Sequence, residues 1–285
     1  MSNEPQDEAS EKPRLGALGV VLGGGSWDAS LAAVSDLEAS GYSTIWVSGA
    51  QLDALDRVAD VARATRSVRV GTAIIAADQF PAEAVSATYA KLEAEYPGRF
   101  LVGIGGAHGP RPLRTLGNYL DHLDDAAQPV PTHDRILSAL GPRMLELAGE
   151  RTAGALPVLA TPDYTAQARA RLGPDALLVI QQLVVLDRDS SRARDAAREI
   201  IRFLRDVEGG YPRHFRRMGF NDDDIAKLAD RLVDALVAWG DIESIRSRIA
   251  QHRAAGADQV ALWVPGGNNS APTSQWQQLA RELPA

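Results

Sequence analysis

The sequence predicts an α/β fold: a parallel (β/α)8 barrel of the TIM type, with a long helical insertion between its seventh and eighth strands. Three observations carry that expectation. Short apolar runs alternate with helical patterns from one end of the chain to the other, eight runs in all, and such alternation calls for a parallel sheet with its helices outside. The length, 285 residues, suits one barrel of roughly 250 residues. The βα units are also too short and too regular to divide into two domains. An open, doubly wound sheet is the alternative, because parallel strands are covered on both faces in either architecture.

The elements follow in order. Residues 1–14 are polar and partly acidic. They read as a flexible lead-in rather than a signal peptide, so the barrel domain runs 15–285. The first strand is 15–22, followed by Gly23-Gly24-Gly25 and a helix over 28–40. Strand 44–47 precedes a helix over 52–64, strand 68–75 a helix over 82–95, and strand 100–104 a helix near 113–126. The fifth strand, 134–140, runs through Gly141-Pro142 directly into a helix carrying Met144, Leu145 and Ala148 at helical spacing. Strand 156–160 leads to Thr161-Pro162-Asp163, where threonine caps and proline takes the first helical position. Strand 177–186 opens the insertion, 189–255, which is helical with breaks at 209–212, 219–222 and 240–241. Strand 260–264 and a helix from about residue 274 close the chain.

Composition narrows the function. A net charge of −7, spread along the chain, argues for solubility and against a nucleic-acid surface. The arginines of 192–205 alternate with Asp195 and Glu199, the pattern of a solvated helix face. The chain has no cysteine, which excludes a disulfide scaffold, thiolate catalysis and cysteine-bound zinc, and fits a cytoplasmic protein. No apolar run reaches the roughly 18 residues a membrane crossing needs. No two histidines stand at metal-ligand spacing, and there is no Gly-x-Ser-x-Gly elbow, so neither a metal site nor serine-dependent hydrolysis is expected.

In a barrel the site lies at the C-terminal ends of the strands. That places Trp27, Trp46, Ser48, Ala73 to Ala77, Gly105 to His108, Gly141 to Met144, Thr161, Gln181, Gln182 and Trp263 as candidates. Of the five histidines only His108 follows a strand end. Gly141 allows a sharp turn, Pro142 suits the first helical turn, and the free N–H groups there, with Arg143, would seat a phosphate. An ordinary strand-to-helix loop has the same spacing. Gly103-x-Gly105-Gly106 lacks the dinucleotide spacing and reads as close packing that leaves room for a flat ring. Trp46 and Trp263 would stack on such a ring, or belong to the core.

These motifs bear a resemblance. Ile45-Trp46-Val47-Ser48-Gly49, Val70-Gly71-Thr72-Ala73-Ile74, the run Gly98 to Gly105, Ala107-His108-Gly109-Pro110, Ala139 to Leu145, Leu156 to Pro162, Asp230 to Gly240 and Ala255 to Asp258 are collinear blocks. The chain so resembles the luciferase-like monooxygenase superfamily, in its branch that uses the deazaflavin coenzyme F420, over nearly all its length after Lys12. The resemblance implies an oxidoreductase that binds F420 at the barrel mouth, or FMN with oxygen as the alternative. It implies a coenzyme phosphate on Gly141, Pro142, Arg143 and Met144, with Gly105, Gly106 and Thr161 also at the coenzyme. Ala73, Ile74 and Ile75 would press on one face of the ring, in a segment that often holds a non-proline cis peptide. His108 would be proton donor or substrate anchor, and Trp27, Trp46, Ser48 and Trp263 would line the substrate pocket. A homodimer is the family habit. Two departures stand out, Ala76 where relatives carry asparagine and Ala107 where they place serine, and they leave open a barrel that binds a ligand without turnover. An aldolase or isomerase barrel would want a strand-end lysine, and Lys12, Lys91 and Lys227 are not at strand ends.

Overall fold

The computed structural model describes residues 13–107, 109–207, 210–266 and 270–283. The chain opens with β1 (Leu18–Leu22), α1 (Trp27–Ala39), β2 (Thr44–Ser48), α2 (Asp56–Ala64), β3 (Arg69–Ala73) and β4 (Ile75–Ala76). It continues through α3 (Ala82–Glu95), β5 (Phe100–Gly105), α4 (Pro112–Asp124), β6 (Arg135–Leu137), α5 (Pro142–Arg151), β7 (Gly154–Ala155), α6 (Pro162–Leu172) and β8 (Leu177–Val185). The remaining elements are α7 (Ser190–Val207), α8 (Tyr211–Arg217), α9 (Asp222–Lys227), α10 (Asp230–Leu236), β9 (Val237–Trp239), α11 (Ile242–Ala254), β10 (Gln259–Trp263) and α12 (Thr273–Glu282).

The strands pair in parallel and close on themselves: β10 joins β1 on one side and β8 on the other. The result is the eight-stave α/β barrel that the alternation called for, with β3 and β4 both paired to β5 as one interrupted stave. The interruption falls at Ala73–Ile74, whose peptide bond is cis. The open-sheet alternative is thereby excluded.

Inward and outward side chains alternate along each stave. On β8, Leu177 and Val179 face inward, where they join Val21, Trp46, Leu101, Ile136, Leu156 and Ala261 in a small central cluster. Leu178, Ile180 and Val184 face outward into the larger core beneath the helices. The central cluster plugs the N-terminal half of the barrel, so open space is left only at the C-terminal mouth.

Three sequence boundaries are corrected. The fifth strand is regular only over β6; Ser138 still gives its N–H to the Ile104 carbonyl at 2.8 Å, and Ala139 and Leu140 leave the ladder. The sixth is regular at Gly154–Ala155, ahead of the expected 156–160; Leu156 N still bonds Leu137 O and Val158 bridges Gln181, and the run ends at Leu159, whose φ of 52° no strand accommodates. The stretch 189–255 is not wholly helical. It contains β9, which extends the sheet beside the end of β8 (Leu183 opposite Val237), and its final helix, α11, packs on α6 and β10 as an ordinary outer helix of the barrel.

A second core ties the insertion to the barrel. Ala197 and Ile201 of α7, Tyr211 and Phe215 of α8, and Leu232, Val233 and Leu236 of α10 pack on Val158, Leu159 and Leu183. His252 of α11 fastens the same seam. Gln182 gives both N–H bonds to the carbonyls of Leu183 and Leu236, so its Oε1 accepts from His252 Nε2 at 2.8 Å. That fixes the tautomer, and Thr165 Oγ1 supplies the hydrogen to His252 Nδ1 at 2.8 Å.

Candidate active site

A cavity of about 810 Å³ occupies the C-terminal mouth, a size typical of small-molecule and cofactor sites. The barrel contributes Ser48, Ala73, Ile74, Ala76, Gly106, Ser138 and Gln181, and the loop after β10 contributes Pro265 and Gly266 beside Trp263. The outer wall comes from the insertion. Ala196, Glu199, Ile200 and Phe203 face the cavity from α7 at positions i, i+3, i+4 and i+7, one stripe of a helix. The adjoining stripe, Ala193, Ala197 and Ile201, is fully buried. Helix α7 therefore serves two surfaces, core and cavity, at once.

Local packing shapes the wall at Ile74. Gly105 ends β5, and a Cβ there would press on Ser138 and Ile74 at 3.0 and 3.2 Å. Gly106 follows with φ +67°, where a Cβ would also meet Ala76 at 2.8 Å. The two glycines let the β3–β4 turn come close to β5 and carry Ile74 to the cavity surface.

The sequence-predicted residues divide into two groups. Ser48, Ala73, Ile74, Gly106 and Trp263 come together around the cavity. Ile75 does not: it is fully buried and faces the outer core, as the residue after an inward Ile74 must on a strand. Gly105 supports the wall without lining it. Trp46 also fails to reach the cavity. It is fully buried in the central plug, with Nε1 donating to Gln259 Oε1 at 2.9 Å. Trp27 begins α1 and packs on the outer core, with the Arg57 guanidinium 4.8 Å over its ring. His108, the expected catalytic residue, lies outside the described residues, next to Ala107, which packs on the outer core.

Gly141, Pro142, Arg143 and Met144 are at the start of α5 rather than on the cavity wall. Gly141 is the N-cap and has no side chain to satisfy the first turn, and Pro142 has no N–H. Met144 and Leu145 return their N–H groups to the Gly141 carbonyl, leaving that of Arg143 pointing out of the helix start. Arg217 of α8 reaches over this turn, giving Nη2 to the Leu140 carbonyl at 3.3 Å. Burial pulls the Arg217 pKa below its ordinary value, the nearby Tyr164 opposes this, and Arg213 adds to the lowering. Arg143, Arg213 and Arg217 form no ion pair among the described residues, whereas Arg192, Arg194, Arg198, Arg205, Arg216 and Arg231 of the insertion each hold an aspartate. The arrangement gathers positive charge at the start of α5. Ser138 on the cavity wall precedes it by three residues, and Tyr211 on the same wall begins the helix that carries Arg213 and Arg217. Thr161 caps α6, accepting from Tyr164 N at 3.1 Å, and does not line the cavity.

An insertion between the last two strands of a barrel belongs on this face, as a wall, a lid or a dimer contact, but its order in the chain does not single out Arg217 or the α7 stripe. The charged residues lining the cavity, among those described, are both acidic. Asp187 is held by Arg192 through two bonds of 2.8 Å, which keeps its carboxyl below the usual range. Glu199 has no partner among the described residues. No group of His, Asp or Glu among the described residues is arranged to hold a metal ion, and no described helix is long and apolar enough to cross a membrane.

An eight-stave parallel barrel with a closed floor and a cavity at its C-terminal mouth has the architecture of a TIM-barrel enzyme. The profile of the luciferase-like monooxygenase family matches residues 117–259, half of the chain, and the protein belongs to that family, a family of oxidoreductases. A search of curated proteins finds no match in sequence. Among solved structures it is similar to an F420-dependent secondary alcohol dehydrogenase bound to an F420–acetone adduct, at 17% identity and TM-score 0.73, over 96% of this chain and 98% of that one. It is similar to a coenzyme F420-dependent tetrahydromethanopterin reductase from Methanopyrus kandleri, at 15% identity and TM-score 0.68, covering 95% and 98%. A third is the oxygenating constituent of 3,6-diketocamphane monooxygenase from Pseudomonas putida with FMN, at 12% identity and TM-score 0.60, covering 94% and 96%. Identities this low speak to the shared barrel alone.

Proposed function

We propose that the protein is a coenzyme F420-dependent oxidoreductase acting on an organic small molecule. The observation that carries the reading is the pairing of a ring-sized, partly apolar cavity with a bare helix start flanked by arginines that have no carboxylate partner among the described residues. The cavity fits a flat tricyclic ring, and the α5 start with Arg143 and Arg217 fits its phosphate. When bound, the deazaflavin supplies or accepts the hydride.

The chain's own residues do the rest. Ile74 backs one side of the cavity, Trp263 and Ile200 exclude water, and α7 closes the outer wall. His108 is proposed as the proton donor. The F420-dependent proteins named above support this coenzyme by likeness of fold. FMN is the second reading, supported by the FMN-containing neighbour of the same fold.

Fluorescence titration of the purified protein with F420 and, in parallel, with FMN tests the proposal. Saturable binding of F420 with weaker or absent FMN binding is the expected result. Tighter FMN binding selects the second reading. Binding of neither points to Ala76 and Ala107 and a barrel that has lost its coenzyme. With a substrate in hand, His108→Ala should cut turnover far more than it weakens the coenzyme.

A further inference from the structure

We infer that the side-chain amide of Gln181 holds the polar group of the substrate, and that the substrate is an uncharged molecule carrying a carbonyl or hydroxyl oxygen. Gln181 is only 6% exposed, yet its side chain makes no hydrogen bond within the described residues, although it lines the cavity. The other buried glutamines are all engaged. Gln51 donates to Gly25 O, Gln182 bridges His252 and two carbonyls, and Gln259 bonds Trp46, Gly16, Ser43 and Thr44. An amide that opens on the cavity without a partner among the described residues, beside the Trp263 indole N–H that is likewise unpaired, points to a partner that is not part of the chain.

The barrel fixes what that partner is. In the ring of eight staves, β8 is four places from the β3–β4 stave in either direction. Gln181 therefore faces Ile74 across the cavity. A ring seated on Ile74, as the proposed function has it, turns its free face toward Gln181, which is where a reacting molecule lies. An amide there donates to a carbonyl oxygen and both donates to and accepts from a hydroxyl. Among the described residues no lysine or arginine lines the cavity, and the charges that do, Asp187 and Glu199, are acidic. A carboxylate or phosphate substrate would enter without a counter-ion and against that charge.

The test compares cyclohexanone with methylenecyclohexane, near-isosteres that differ in C=O against C=CH2, by ligand-observed NMR titration of the full chain, with and without F420. The wild type should bind the ketone at least about fivefold tighter, the margin of one hydrogen bond to a neutral acceptor. Gln181→Met should bind both alike while its melting temperature holds and its F420 affinity stays within twofold. Gln181→Glu, which keeps the shape but removes the donor, should lose the ketone preference too. A preference that survives both substitutions, or a wild type that shows none, overturns the assignment. So does a tenfold or greater loss of F420 binding in Gln181→Met, which would give the amide to the ring instead. Should F420 fail to bind the wild type while the ketone preference appears and depends on Gln181, the coenzyme proposal falls and this assignment stands.

Discussion

Gln259 and Gln181 are carried by neighbouring staves of one barrel, β10 and β8, and end in opposite environments. At the N-terminal end, Gln259 accepts from Trp46 Nε1 and its Nε2 lies within 2.9 to 3.1 Å of Gly16 O, Ser43 Oγ and Thr44 Oγ1. Trp46 lies flat under Gly71, where a Cβ would come within 2.3 Å of its ring. At the C-terminal end, Gln181 is nearly as buried and has no side-chain hydrogen bond among the described residues. Below, the Gln259 amide is spent on the barrel itself; above, the Gln181 amide is left open to the cavity. The same residue type is thus structural at one end and available for recognition at the other, and the neighbours decide which.

The largest effect expected from that contrast is at Trp46. Trp46→Ala removes the plug and strands Gln259 Oε1, at a cost of about 3–5 kcal/mol. Urea unfolding measures it, and a loss below about 1.5 kcal/mol would mean the floor is less well packed than its burial indicates. Gln259→Leu should cost about 1–3 kcal/mol, because it leaves the Trp46 N–H unsatisfied. Gln181→Met, the matched change at the other end, should leave stability within about 0.5 kcal/mol or raise it, since it removes an amide that nothing satisfies. If the two substitutions cost alike, the distinction between the ends fails.

The seam between insertion and barrel gives the next effect, in pH. Burial pushes His252 down to about 3, with Arg248 adding to it, and pushes His214 down to about 4, the bond to Leu159 O opposing and Arg217 adding. Both are neutral when folded, while the unfolded chain protonates them near the ordinary value of about 6.5. Their contribution is therefore fully present above pH 6.5 and is lost as pH falls toward 4 and then 3. The melting temperature should drop across that window, and His252→Gln should flatten part of the slope. A flat profile in the wild type would show the seam to be open to water. Smaller again, Arg217→Ala should weaken F420 about tenfold, or about 1.4 kcal/mol, with little change in melting. Unchanged affinity would move the phosphate elsewhere.

How much of this was legible beforehand follows the same division. The alternation of apolar runs gave the barrel because each βα unit carries its own period. It also placed Ser48, Ala73, Ile74, Gly106 and Trp263 at the mouth, since strand ends can be read in order. Trp46 could not be told from a pocket residue, because an inward-facing tryptophan near the end of a strand fits either, and only the space under Gly71 decides. Ile75 went astray by one step of strand alternation. The Leu159 backbone and the reach of Arg217 over Gly141 depend on long-range packing that no local pattern encodes. The α7 stripe is present in the sequence as 196, 199, 200 and 203, but a solvated face has the same spacing.

The smallest expected effect tests that last ambiguity. Phe203 is 60% exposed, at the outer end of the stripe, while Ile201, two residues before it, is fully buried in the second core. Ile201→Ala should cost about 2–5 kcal/mol, and Phe203→Ser should change stability by no more than about 0.5 kcal/mol. Its effect belongs instead to the cavity: with an apolar rim removed, ketone and alkene probes should both bind more weakly, by the same factor. A selective loss of the ketone would place polar recognition at the rim rather than at Gln181. A loss of stability beyond about 1 kcal/mol in Phe203→Ser would show that the ring is packed against something in solution. Dependence of that loss on protein concentration would identify the something as a second copy of the chain, because association, unlike folding, responds to concentration.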